Sequence, residues 1–367
     1  MLLLLITGTM GAAFLLSFLL LLNPLRRNER ANRWLGVFMG VVGASMLDIY
    51  LEQTQFEKNV PYFSEWLNTL RYVLAPSLYL AVSFFMHPTR RFERRDWWHF
   101  LPVLSFAIVR HIFVFTGRNV EDIAAFNING HTFSQYFLPL QNLVYMVVSY
   151  QKLTRHSRNV ELISADTDTI NLDWLRNMIL IFGVSVLFWG NEIFFEEPFL
   201  MRFTPYVYAI SVFFAAYFSL KQAPVFNFQP QDLPEISAVI QQEKTKAKRL
   251  SQAQLHAHRL QLDHLMFNEK LYLENTLSLS DLAQKLDLSI HDTSYLINET
   301  TGDNFYNFIN RHRIEEAKRL LRAGKAEDFN MLGIAFEAGF NSKTTFNTTF
   351  KKMVGMSPSA YWQSQRE

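Results

Sequence analysis

Seven apolar stretches occupy the first 221 residues, at roughly 2–22, 34–52, 66–86, 98–116, 133–153, 174–195 and 203–221. Each is about 20 residues long, the length a helix needs to cross a hydrocarbon layer. A helix apolar all round has no stable place in water, so this pattern points to a bundle of seven membrane spans. The first stretch is expected to be a retained span rather than a signal peptide. Nothing basic precedes Leu2, and no small-residue cleavage site follows Leu22. The remainder, from 229 onward, is mixed and charged, so a near-neutral mean hydropathy of +0.02 conceals two unlike halves.

Charge between the stretches sets an expected orientation. Arg26, Arg27, Arg30 and Arg33 follow the first stretch, and Arg90, Arg91, Arg94 and Arg95 follow the third. Lys152, Arg155, Arg158 and Arg176 flank the gap after the fifth, whereas the alternate gaps hold Glu52, Glu57, Glu65, Asp122, Glu196 and Glu197. Basic loops stay cytoplasmic. The N-terminus is therefore expected outside, the C-terminus inside, and the chain in a bacterial cytoplasmic membrane among its lipids. Trp34, Trp66, Trp97, Trp98 and Trp174 fall near stretch ends and read as interfacial anchors.

Polar residues inside the stretches gather toward the outer ends. Asp48, Arg71, Arg110, His111, Asn142 and Glu192 are the candidates for a ligand pocket open to the outer side. Ionisable groups in a bilayer are costly and face a bundle interior or a wet cavity. Arg71 and Arg110 suit an anion. Interfacial snorkelling and internal pairs such as Asp48 with Arg71 account for the same residues.

Lys221 and Pro224 close the last stretch, and residues 235–264 are polar and rich in helix formers. Domains are accordingly expected at 1–223 (seven-span sensor), 224–261 (helical connector) and 262–367. Glu243, Gln254 and Gln261 interrupt any heptad, so a weak parallel pairing and a solvated spacer remain equally open. His256, His258 and His264 lack carboxylate or thiolate company, so no metal site is expected. There are no cysteines, which removes disulfides, thiolate metal sites and cysteine nucleophiles.

The last hundred residues carry two helix-turn-helix patterns. In the first, Ser280 is the expected cap for Asp281–Leu282–Ala283, Asp287 sits at the turn, Ser289 caps 290–300, and Gly302 ends it. The second repeats the plan with Ala335, Gly339, a cap at Asn341 or Ser342, and Gly355 as the stop. Between them, Asn304–Ala323 reads as a long helix whose apolar face is Phe305, Phe308, Ile309, Ile314, Ala317, Leu320 and Leu321. Ser357–Pro358 opens a short last helix.

These residues, with Arg313–Ile314–Glu315–Glu316–Ala317, Gly339–Phe340, Phe346 and Phe350–Lys351–Lys352, resemble the AraC family of transcription regulators over about 265–362. The expected fold is thus all-α: a seven-helix transmembrane bundle, a helical connector and an AraC-type domain of two helix-turn-helix units joined by a long helix. The resemblance implies recognition helices in successive major grooves, about 34 Å apart. It places His291, Asp292, Ser294 and Tyr295 against DNA from the first unit. From the second it places Asn341, Ser342, Lys343, Thr344, Asn347 and Thr348, with Lys351 and Lys352 on phosphates.

Charge complicates that picture. Residues 262–367 hold 12 Lys plus Arg against 14 Asp plus Glu, a net of −2, and the first recognition helix has no cation. Phosphate contacts dominate affinity for DNA. One copy should bind weakly, and a homodimer is the expected active form. The chain is expected to be a one-component regulator responding to a small ligand or protein signal outside. The alternatives are a membrane scaffold whose helix-turn-helix domain holds a protein, or a transporter or enzyme with a regulatory tail. No HExxH, Walker loop or serine motif occurs, so neither enzymatic activity nor a cofactor is expected.

Overall fold

The structure is a computed structural model that describes residues 1–24, 26–87, 90–116, 130–165, 172–195, 197–221, 250–323 and 330–365. Among these residues the regular elements are helical and no strand forms, as expected of an all-α chain. Two compact units are present. One comprises Met1–Thr154 and Leu172–Val225, the other Arg155–Asn171 and Phe226–Glu367.

The first unit contains α1 (Leu2–Leu22), α2 (Glu29–Gln53), α3 (Pro61–Leu70), α4 (Leu74–Met86) and α5 (Leu101–Thr116). It continues through most of α6 (Gly130–Val160) and then α7 (Asp173–Phe194), α8 (Pro198–Met201) and α9 (Thr204–Lys221). Gly36, Gly40 and Gly43 line one face of α2. A Cβ at each would come within 2.9 Å of Leu21, Ser17 and Phe14 of α1. This small-residue seam lets the two backbones approach closely, and Ser17 Oγ donates to the Gly36 carbonyl across it at 2.7 Å.

Among the described residues, three helical stretches, rather than the expected seven, are long and apolar enough to cross a membrane: Leu2–Leu22, Glu29–Gln53 and Trp66–Met86. The third is not one continuous α-helix, because a 3-10 turn at Arg71–Val73 joins α3 to α4. Thr204–Leu220 is apolar but shorter. The other expected spans are helical as well. α5 has 16 residues after a 3-10 turn at Arg94–Phe100, and α6 carries Gln141, Asn142 and Lys152.

The second unit contains α10 (Gln252–Phe267), α11 (Leu279–Leu286), α12 (Ile290–Thr301), α13 (Phe305–Arg322), α14 (Met331–Glu337), α15 (Lys343–Val354) and α16 (Pro358–Ser364). Of the expected connector, residues 224–249 lie outside the described residues, and α10 begins within the rest of it. α13 is the spine. Its N-terminal half gives Phe305, Phe308 and Ile309 to a core with α10, α11 and α12. Its C-terminal half gives Ile314, Ala317, Leu320 and Leu321 to a second core with α14, α15 and α16. The whole apolar face read from the sequence is therefore used, split between two partners.

Candidate nucleic-acid interface

α11 and α12 form the first helix pair. The cap of α11 is Ser278, not the expected Ser280. Ser278 Oγ accepts from Asp281 N, and the Asp281 carboxylate accepts from Ser278 N. This reciprocal capping box starts the helix early enough for Leu279 to be its first, fully buried residue. Asp287 takes the left-handed turn at φ 53°, Ser289 caps α12, and Gly302 ends it at φ 73°.

One side of α12 is core: Ile290, Thr293, Leu296 and Ile297. Thr293, buried in this core, hides its hydroxyl by donating to the Ser289 carbonyl at 3.0 Å. His291, Asp292, Ser294 and Tyr295 are half-buried. Tyr295 leans on the core, and Asp292 accepts a hydrogen bond from the Ser289 hydroxyl at 2.7 Å. Both ring nitrogens of His291 are shielded from solvent. The four residues expected to face DNA are thus partly engaged inside the domain.

α14 and α15 form the second pair. Asn330 caps α14 through Leu332 N and Gly333 N, and Ser342 caps α15 through Thr345 N. The cap is therefore Ser342. Asn341 instead donates from its side chain to the Asn275 carbonyl at 3.1 Å. Along α15, Phe346, Thr349 and Phe350 are buried. Lys343, Thr344, Thr348, Lys351 and Lys352 are exposed, with Asn347 half-exposed among them. Spacings of one, four and five residues place these six on the helix face opposite the phenylalanines. This face is polar, cationic and carries no carboxylate.

Arg313 ties the two pairs together. Its side chain is 1% exposed, and it donates to the Tyr272 carbonyl and to the Glu274 carbonyl, each at 2.7 Å. Its guanidinium also lies 5.8 Å from the Phe340 ring centre. Beside it Gly339, at φ 87°, brings its backbone so close that a Cβ would meet Tyr272 O at 2.7 Å and Leu273 Cα at 2.9 Å. Nearby, Glu316 is held below its ordinary pKa, first by the hydrogen bond from Arg319 and against the opposing effect of burial.

A third contributor carries no motif. Residues 161–165, just after α6, pack into the core of the first pair. Leu162, Ile163 and Ala165 are buried with Leu277, Leu279 and Phe305. Leu279 N donates to Ile163 O at 3.0 Å, Ala165 N to Leu277 O at 3.4 Å and Tyr306 N to Glu161 O at 3.2 Å. Ser164 and Ser278 thereby form an antiparallel bridge. Leu279 and Tyr306 stand in the first turns of α11 and α13, where backbone N–H groups have no acceptor within the helix. The segment supplies those acceptors.

In the first unit, a cavity of about 350 Å³ is lined by apolar residues such as Phe38, Met46, Leu78 and Phe182, with Arg71, Asn142, Glu52 and Ser149 among its polar groups. Of the six ligand candidates, Arg71 and Asn142 line it. Asp48 is paired with Arg71 at 2.7 Å, and Asn142 Nδ2 donates to Leu138 O at 2.8 Å. The Ser149 hydroxyl and Arg71 Nε are buried with no hydrogen-bond partner among the described residues. The side chains of Arg110, His111 and Glu192 lie outside the described residues. Neither the 161–165 segment nor Ser149 was singled out by the sequence. Serine in a span is common, and a backbone carbonyl has no residue code.

The fold and this helix arrangement place residues 282–364 in a recognised class, since they match the family model described as a helix-turn-helix domain. Two relatives are similar to this chain. The HTH-type transcriptional regulator ExsA of Pseudomonas aeruginosa is 30% identical over 143 residues, covering 39% of this chain and 45% of the relative. The uncharacterized HTH-type transcriptional regulator SACOL0084 of Staphylococcus aureus is 34% identical over 92 residues, covering 25% of this chain and 12% of the relative. The chain thus spans less than half the length of the curated relatives it matches. No solved structure matches it. The C-terminal unit carries a helix-turn-helix domain like those of transcriptional regulators.

Proposed function

We propose that the chain is a membrane-embedded, AraC-type transcription regulator that binds double-stranded DNA through two helix-turn-helix units under control of a signal met outside. The observation that carries this reading is the exposed face of α15. Six polar or cationic residues stand opposite a phenylalanine core, within a domain that matches the helix-turn-helix model. Asn347 is fitted to an adenine edge and Lys343 to guanine or phosphate, whereas Lys351 and Lys352 hold phosphates. The first pair, whose outer residues are half-engaged and partly acidic, adds position more than sequence choice.

Membrane embedding is supported by the three long apolar stretches and by large apolar side chains left open, such as Leu15, Phe18, Leu187 and Ile210 at 57–69% exposure. The arginine-rich loops favour a C-terminal unit on the cytoplasmic side, where DNA is. The cavity in the first unit is the sensing site in this reading. Because Asp48 already neutralises Arg71, its ligand is uncharged and mainly apolar, with one acceptor for Arg71 or Asn142.

The decisive experiment enriches duplexes from a random-sequence pool with the full chain in lipid nanodiscs, then titrates salt. A preferred sequence with steep salt dependence is expected, and no enrichment at any salt would sink the reading. Lys343→Ala combined with Asn347→Ala should abolish promoter control. Retained control in that variant would favour a domain that binds a protein partner.

A further inference from the structure

The 161–165 segment is a candidate for the link between the two units. It lies between α6 and α7, whose bodies belong to the first unit, yet its contacts are with the second. The segment holds the first helix pair by means suited to release. Its grip includes three backbone hydrogen bonds and three small or medium apolar side chains. It also bonds N–H groups that their own helices leave without acceptors, so undocking need not break either helix.

We infer that residues 161–165 form a releasable clamp through which the membrane unit restrains the DNA-reading unit. This rests on the reading that the membrane unit controls DNA binding. Docked, the clamp gives the first helix pair a second chain connection to the membrane helices, besides the one after α9. Two copies restrained in this way cannot freely adjust to the spacing of two DNA half-sites. A displacement of the end of α6 relative to the start of α7 pulls on the clamp, and release restores that freedom. The clamped state is therefore the weaker binder.

Hydrogen exchange on the full chain in nanodiscs tests release without any DNA. Leu279 and Tyr306 amides depend on the clamp for protection, whereas Ile309 and Ala317 sit inside α13. The expected result is intermediate protection of Ala165, Leu279 and Tyr306, with a common opening rate well above that of the α13 interior. Protection equal to the α13 interior would make the segment a permanent part of the core, and no protection would mean it does not dock. Either result overturns the clamp.

A second arm tests restraint. Ser164 and Ser278 form a non-hydrogen-bonded antiparallel pair, whose Cα atoms lie about 4.5 Å apart, within disulfide range. The chain has no cysteine, so Ser164→Cys with Ser278→Cys gives a single possible bridge. Comparing the oxidised and reduced forms of this one protein cancels the effect of the lost Ser278 cap. The oxidised form should bind the enriched duplex about tenfold or more weakly than the reduced form. Failure to oxidise, or equal or tighter binding when oxidised, overturns the proposal. If no duplex is enriched, the DNA-binding reading fails and the exchange measurement alone decides the clamp.

Discussion

Gly339 and Arg313 are the residues on which the joining of the two helix pairs depends. Gly339→Ala combines an unfavourable positive φ with a backbone clash against Tyr272 and Leu273. It should cost the C-terminal unit roughly 2–4 kcal/mol, read by pulse proteolysis of the full chain. Gly302→Ala is the matched control, because it shares the positive φ but meets nothing within 4 Å. Its cost should stay near 1 kcal/mol. Arg313→Met keeps the bulk but strands two buried carbonyls, for a loss of about 2–4 kcal/mol by the same assay. Arg313→Lys should not rescue it, since one ammonium cannot reproduce a planar fork aimed at both carbonyls. The sequence flagged Arg313 only as part of a family pattern and Gly339 as part of the second helix-turn-helix plan. What each touches lies on a distant turn, 271–274, that no local signal connects to them.

Single elements were the most legible level. Caps and stops are local chemistry, so Asp287, Ser289, Gly302, Gly355 and Ser357–Pro358 stand where the sequence places them. Ser280 failed as a cap because two serines compete there, and only Ser278 has Asp281 three residues on to complete the box. Helix α13 carries a pH signal that no motif revealed. His312 is packed among Phe267, Tyr272 and Phe308, and burial, reinforced by the neighbouring Arg259 and Arg311, holds it below its ordinary pKa. Unfolding lets it take a proton more readily, so its stabilising neutral form is fully effective above about pH 6.5. That contribution is lost as pH falls through the lower folded value. Stability of the C-terminal unit should therefore decline on acidification below about pH 6.5, and His312→Gln should flatten that part of the curve. On α15, Lys351→Ala should lower the salt slope of DNA binding by about one and weaken all sequences alike. Asn347→Ala should instead relax preference at one base pair.

For the whole molecule, hydropathy and arginine placement predict a seven-span topology with its C-terminus inside. Three apolar stretches stand out among the described residues, while α6 mixes polar residues into its apolar window and so dilutes the signal. Fusing alkaline phosphatase after residue 57 should give an active reporter, and fusions after residues 92 and 158 should be inactive. The reverse pattern would overturn the inside placement of the C-terminal unit. The least legible feature was the contribution of residues 161–165 to that unit, because backbone carbonyls make the bonds and their partners lie more than a hundred residues downstream. That separation has a consequence during synthesis. The segment leaves the ribosome long before Leu277, Leu279 and Phe305, so its apolar side chains must wait for the surface that buries them. A nascent chain halted anywhere in that interval holds an unfinished core, and closing it is a long-range step of the kind that slows folding. The gene cannot be cut cleanly between the two units: a fragment beginning at residue 250 starts life without Leu162 and Ile163, whose burial contributes about 1.5–3 kcal/mol apiece.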